Sequence, residues 1–176
     1  MAKKRKYKKW SQQQYTHGAI WAIIAFCTLG LGEKAHEYFK MINPIEHAKT
    51  KEAAFKYKVE PYVIAADVYS ENSLAGRGGW TWYTGSAAWM YKAGIESILG
   101  LRKEGNILKI LPCIPAEWEE YSIRYKYKQT IYNIEIKNPN HKNTTVEEFY
   151  VDGAKTDEKY VRLIDDNDIH NVKVIM

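Results

Sequence analysis

The spacing of apolar positions changes once along the chain, near residue 100, and the change separates a helical half from a strand half. In the first half Ile20, Ile23, Ile24 and Cys27 recur at helical spacing, while Trp21, Ala25 and Phe26 leave almost no polar side opposite them. A helix apolar nearly all round must be covered all round, and a short chain has few helices to do it. Gly30 and Gly32 end that helix. Ala35, Tyr38, Phe39 and Ile42 mark a second, amphipathic one that stops before Pro44, and the two read as an antiparallel pair. Residues 43–60 form a connection holding a short charged helical stretch over residues 52–57. In residues 61–70, PYVIAADVYS, the run is apolar except for Asp67, and periodicity leaves helix and buried extended chain equally open. Gly76, Gly78 and Gly79 make the segment before Trp80 a shaped loop. From Ser86 a third helix is predicted, with Ala88, Tyr91, Ile95 and Ile98 on one stripe and Gly100 to stop it.

Beyond Gly100 the period is two. Residues 107–114 are apolar and broken by Pro112; Ile123, Tyr125 and Tyr127 alternate with Arg124, Lys126 and Lys128; Tyr132, Ile134 and Ile136 alternate with Asn133 and Glu135 as a hairpin partner. Asp152-Gly153 is a hairpin signal, and residues 160–164 and 172–176 read as closing strands. The fold class is therefore α+β, helices first and then a small antiparallel sheet or sandwich, divided near residues 100–106.

At 176 residues, with 45% hydrophobic and 14% aromatic positions, the chain is globular rather than disordered. Its formal charge of +5 suggests an acidic partner until the charges are located. Six of the 26 basic side chains fall at Lys3, Lys4, Arg5, Lys6, Lys8 and Lys9, leaving 20 basic against 21 acidic residues in the rest. A neutral body behind a basic start argues against a specific nucleic-acid partner and reads as a solvated, disordered end over residues 1–13. Cys27 and Cys113 fit no disulfide framework and no zinc spacing, so the expected compartment is the cytoplasm and no metal is expected. The longest uncharged apolar run, residues 19–29, is about half of what a membrane span needs.

Two helix starts could carry chemistry. Tyr15-Thr16-His17-Gly18 precedes the first helix as Tyr83-Thr84-Gly85-Ser86 precedes the third, so a histidine and a threonine-glycine pair each stand where unpaired N–H groups and the dipole favour an anion such as phosphate. Trp80, Trp82 and Trp89 offer flat apolar faces nearby. Against this stands the plainer account of Thr84 or Ser86 as a helix cap and the tryptophans as core. His36, His47, His141 and His170 read as structural, and Glu60, Asp67 and Glu71 as orienting or structural carboxylates, with no acid–base pair among them.

The residues QYTHGAIW, INPIEHA, VEPYVIAADVYS, GRGGWTWYTGSAAWMYKAGIESILGLR and LPCIPAEW closely resemble the C-terminal part of the inverting β-glycoside phosphorylases of glycoside hydrolase family 94. Within that family the wording is similar to the branch holding the C-terminal region of cyclic β-1,2-glucan synthases and β-1,2-oligoglucan phosphorylases. The resemblance runs from about Gln14 to about Trp118 and more loosely to the C-terminus. It implies the last helices of an (α/α)6 barrel over residues 14–103, followed by a C-terminal β domain over residues 104–176. It also implies a glycosyltransferase that cleaves a β-linked glucan or disaccharide with inorganic phosphate as co-substrate, needing no other cofactor and giving an α-sugar 1-phosphate. By residue match, His17, Thr84 and Gly85 would hold the phosphate, and Tyr15, Arg77, Trp80 and Trp82 would line the sugar subsites.

The match departs from the family in one place that matters. The catalytic aspartate of the family lies upstream of QYTHG, and the Glu-Asn-Gly-Gly that usually precedes this motif is replaced by Trp10-Ser11-Gln12-Gln13. The expectation is a shortened or frameshifted reading frame, a C-terminal fragment inactive alone, which self-associates through the uncovered flank of its first helix. The alternatives are a noncatalytic carbohydrate- or phosphate-binding remnant, and, behind it, a nucleic-acid or membrane-surface protein led by the basic start.

Overall fold

The computed structural model describes residues 13–70, 73–82 and 84–176. The basic start lies outside these up to Gln12, as do Glu71 and Tyr83. The chain forms two compact units, one of the described residues through Trp21 with Lys40–Met90, the other of Ala22–Phe39 with Tyr91–Met176. The division does not follow the change from helix to strand at Gly100. Helix α1 and the third long helix each run from one unit into the other, so each unit contains both helix and strand.

In the first unit, β1 (Gln13–Tyr15) pairs antiparallel with β2 (Asp67–Tyr69), setting Tyr15 opposite Asp67. The run that periodicity left open is therefore not helical: it turns at residues 61–63 and is strand at Asp67–Tyr69. Helix α1 (Thr16–Thr28) starts directly from β1, and its first residue is fixed twice: Thr16 N–H donates to Ala66 O at 2.9 Å and its hydroxyl donates to Ala65 O at 2.6 Å. Two short helices, α3 (Pro44–His47) and α4 (Lys51–Tyr57), are capped by the side chains of Asn43 and Thr50. Residues 76–80 run alongside β2, with Tyr69 N–H donating to Arg77 O, Gly79 N–H to Asp67 O and Ala66 N–H to Trp80 O at 2.7 to 2.9 Å. The glycine-rich segment is thus a third, short strand-like edge.

The second unit contains the rest of α1 and α2 (Gly32–Ile42) as far as Phe39, with Phe26 and Tyr38 in edge contact at 5.1 Å. Gly30 closes α1 at φ +74°, and Leu31 N–H reaches back to Phe26 O at 2.9 Å. Helix α5 (Thr84–Lys92) continues as a π-helical turn, Ala93–Ile98. The buried stripe differs from the one read from the sequence: Ser86, Met90, Ala93 and Ser97 are buried together with the predicted Ile98, whereas Ala88 and Tyr91 are exposed.

Strands β3 (Leu101–Glu104), β4 (Ile107–Ile110) and β9 (Tyr160–Arg162) form one antiparallel sheet. A second has the order β5-β6-β10-β7-β8, built from Glu120–Tyr127, Thr130–Lys137, Ile169–Ile175, Glu148–Val151 and Ala154–Thr156. The β7–β8 turn is Asp152-Gly153 with φ of +49° and +81°, the primed turn that this dipeptide favours. One pairing departs from the expected antiparallel pattern: β10 lies parallel to β6, Ile169 beside Ile131 through Ile175 beside Lys137. Alternation fixes which face a side chain takes but not strand direction, and the long connection through β7, β8 and β9 lets the chain return in the same sense. Leu108, Ile110, Tyr132, Ile134, Ile136, Phe149, Val161, Val172 and Val174 are buried.

Of α1, one stripe (Ala19, Ile20, Ile23, Cys27) is buried and the opposite positions Trp21, Ala25 and Leu29 are exposed, Trp21 at 56% and Leu29 at 71%. The helix that needed cover on every side has it on one.

Candidate functional site

The first unit contains a cleft of about 620 Å³ whose walls include Tyr15, His17, Asp67, Tyr69, Trp80, Gly85 and Ser86. Its placement follows from the local fold. Tyr15 ends β1, His17 is the second residue of α1, and Gly85 and Ser86 lie in the first turn of α5, so two helix N-termini open on the same space. The first N–H groups of a helix have no intrahelical acceptor and carry the positive end of its dipole.

His17 and Gly85 are close neighbours despite the 67 residues between them. A Cβ added at Gly85 would stand 3.3 Å from His17 Cε1, so the glycine clears space for the imidazole. Three further aromatic rings hold His17: Tyr15 stacks at 6.0 Å between centroids, and Trp21 and Trp89 lie tilted at 5.4 and 6.3 Å. Trp21 and Trp89 in turn meet edge to face at 6.4 Å. These three rings pack around the imidazole and orient it.

On the other wall, Asp67 and Tyr69 share one face of β2 and Val68, between them, does not line the cleft, as strand alternation requires. Trp80 completes the wall with its ring 72% exposed. Trp82, also highly exposed, takes a left-handed backbone at φ +66°, strained for a residue with a bulky side chain.

Of the residues singled out in the sequence, His17, Gly85, Tyr15 and Trp80 meet at this cleft. Thr84, the first residue of α5, is exposed and is not one of its lining residues, nor is Trp82. Arg77 lies elsewhere, in a recess with Phe55, Lys56, Lys58 and Leu74. Asp67, Tyr69 and Ser86 belong to the cleft without having been given a ligand. For Asp67 and Tyr69 the available signal was their two-residue spacing inside an apolar run.

The other histidines make structural contacts: His47 bonds Met41 O at 2.7 Å and stacks on Tyr57, His141 bonds Ala116 O at 3.0 Å, and His36 meets Trp118 edge-on. In the second unit His170 lies between two carboxylates, Nδ1 to Asp152 at 2.7 Å and Nε2 to Asp166 at 3.1 Å, with Tyr132 stacked on it. These bonds, that to Asp152 foremost, raise the imidazole above its ordinary pKa. Cys27 and Cys113 are both buried free thiols; a hydrogen bond between them raises Cys27 and lowers Cys113. Among the described residues, no three of His, Cys, Asp and Glu are grouped so as to hold a metal ion, and no helix is long and apolar enough to cross a membrane.

Two helix starts, an imidazole and an exposed indole thus share one cleft. The chain belongs to the glycoside hydrolase 94 superfamily: the model described as "Glycosyl hydrolase 94 superfamily, catalytic domain" matches residues 5–100, over half of its length and starting ahead of Gln14. It is 51% identical over 123 residues, 70% of its length, to the cyclic beta-(1,2)-glucan synthase NdvB of Rhizobium meliloti (strain 1021). It is also 29% identical to the solabiose phosphorylase of Paenibacillus borealis over 92% of its length, and 30% identical to the N,N'-diacetylchitobiose phosphorylase of Vibrio furnissii over 81%. The chain spans 4%, 21% and 18% of these three relatives respectively.

Proposed function

We propose that this chain carries the phosphate-binding and part of the sugar-binding wall of an inverting β-glycoside phosphorylase, the sugar being a β-1,2-linked glucan. The observation that carries the reading is the meeting of His17 and Gly85, each in the first turn of its own helix, at one cleft with Trp80 on its wall. Inorganic phosphate there would lie against helix N–H groups and the imidazole, while an indole face packs against the C–H face of a pyranose. In that arrangement phosphate attacks the anomeric carbon from the side opposite the leaving oxygen, the bond to the leaving sugar breaks, and an α-sugar 1-phosphate results. Phosphate occupies the place that a base and its water take in an inverting hydrolase, so one carboxylic acid suffices to protonate the leaving oxygen. In this reading that acid is the aspartate that family members carry upstream of the matched segment, and these 176 residues alone bind without turnover. The free buried thiols of Cys27 and Cys113 support a reducing, cytoplasmic setting.

The second reading, a noncatalytic carbohydrate or phosphate binder, is favoured by the exposed rings of Tyr15, Trp80 and Trp82. Calorimetric titration with phosphate and with a β-1,2-linked glucodisaccharide, beside an assay for sugar 1-phosphate, decides between them. Phosphate binding lost in His17→Ala supports the half-site; no phosphate binding by the intact chain refutes it. Turnover restored by adding the upstream barrel segment supports the phosphorylase reading, and glycan binding that stays without turnover supports the second.

A further inference from the structure

We infer that Asp67 selects a neutral sugar in this cleft, its carboxylate accepting hydrogen bonds from hydroxyls of a hexopyranose whose apolar face lies on Trp80; the inference rests on the phosphorylase reading. Backbone bonds place the two residues on adjacent strands, Gly79 N–H donating to Asp67 O at 2.9 Å and Ala66 N–H to Trp80 O at 2.7 Å. A Cβ at Gly79 would collide with Asp67 Oδ1, so the carboxylate lies across the bare backbone of residue 79, beside Trp80. Both residues line the cleft.

A carboxylate there has only acceptors to offer and repels an anion. It is of no use to the phosphate, and it suits a ligand that brings donors. At about 620 Å³ the cleft is also much larger than a phosphate ion requires and within the range of small-molecule sites. It therefore divides into an anion end at His17 and Gly85 and a hydroxyl end at Asp67 and Trp80. The same charge disfavours a uronic acid at the hydroxyl end, so Asp67 sets a preference for neutral over acidic sugars.

The test titrates the full chain with a β-1,2-linked glucodisaccharide, with the disaccharide bearing a glucuronic acid, and with inorganic phosphate, followed by tryptophan fluorescence and calorimetry. Asp67→Asn, nearly isosteric, is expected to weaken the neutral disaccharide by about tenfold to a hundredfold, the scale of a lost hydrogen bond to a charged group. It should also narrow the gap to the acidic sugar and leave phosphate binding unchanged or tighter. Gly79→Ala, which displaces the carboxylate but keeps its charge, should weaken the neutral sugar without narrowing that gap. Unchanged disaccharide affinity in Asp67→Asn overturns the inference, and phosphate binding lost on His17→Ala in the same experiment would leave the phosphorylase reading standing. An intact chain that binds phosphate but no disaccharide also overturns it, whereas one that binds neither sinks both.

Discussion

Replacing Gly85 by alanine should weaken phosphate binding while leaving the fold as stable as before or slightly more so. Gly85 is the second residue of α5 and does not have a positive φ, so alanine meets no backbone strain there. In a helix interior alanine is favoured over glycine by about 1 kcal/mol, and less in the first turn. For a chain of this size, that corresponds to a melting temperature unchanged or raised by no more than about 2–4 °C. The new methyl would stand 3.3 Å from His17 Cε1, inside ordinary van der Waals separation, so the ring must retreat by a few tenths of an ångström. On the proposed reading, a half-site of this kind would bind phosphate with a dissociation constant on the order of millimolar, about 4 kcal/mol. Displacing one charge-assisted contact costs about 1.5–3 kcal/mol, roughly tenfold to a hundredfold, which takes binding out of the measurable range. Thermal melts followed by circular dichroism and a phosphate titration followed by phosphorus NMR measure the two effects separately. Unchanged phosphate affinity would show that His17 and Gly85 do not hold a ligand together, and a marked fall in melting temperature would show that Gly85 is a packing residue.

The purified chain should release no sugar 1-phosphate from β-1,2-gluco-oligosaccharides, cellobiose or chitobiose in phosphate buffer; robust release would mean that a carboxylate of this chain, with Asp67 the first to test, serves as the acid. Trp21, Ala25 and Leu29 leave an apolar stripe of α1 uncovered, so the chain should self-associate in sedimentation, and Trp21→Gln with Leu29→Gln should shift it toward monomer; a compact monomer with no dye-binding apolar surface refutes this. The protonated ring of His170 donates to both Asp152 and Asp166, and its pKa is raised on folding, so its stabilisation is complete below the unfolded value of about 6.5 and disappears as pH rises through the folded value. The strand-rich unit should accordingly melt earlier in mild alkali than in mild acid, and His170→Gln should flatten that dependence; a slope that survives the substitution belongs to other groups. The two carboxylates, held below their ordinary range, act in the opposite sense and matter only as acid protonates them.

The strand half was legible because burial alternates along its strands, most fully in β6: Tyr132, Ile134 and Ile136 are inside and Asn133 and Glu135 outside, so a period of two survives into the sequence. Strand direction leaves no such trace, and the parallel β6–β10 pair could not be read. For α5 the opposite holds. Its chain carries apolar residues on more than one side, and the stripe that is buried is Ser86, Met90, Ala93 and Ser97, two of them polar, so hydrophobicity alone did not pick it out. The interleaving of the two units was equally hidden, since α1 and α5 show no break in pattern where they cross from one into the other.

At the site, what could be read was the resemblance of two helix starts, and what could not was the strand wall facing them. Asp67 sits in an apolar run, where a single carboxylate looks like an orienting group, and only the fold shows that residue 79 must lack a side chain to let it reach the cleft. The glycines of this region thus serve as separate clearances. A Cβ at Gly78 would strike Val59 and crowd the Tyr57 ring, one at Gly79 would displace the Asp67 carboxylate, and one at Gly85 would press the His17 imidazole. A glycine-rich stretch of this kind is normally credited with conformational freedom. Here residues 78 and 79 are held by backbone bonds to Tyr57 and Asp67, and residue 85 is helical, so what they contribute is missing volume. Each added methyl should then fail differently: at 78 in the packing of α4, at 79 in sugar selection, and at 85 in phosphate affinity.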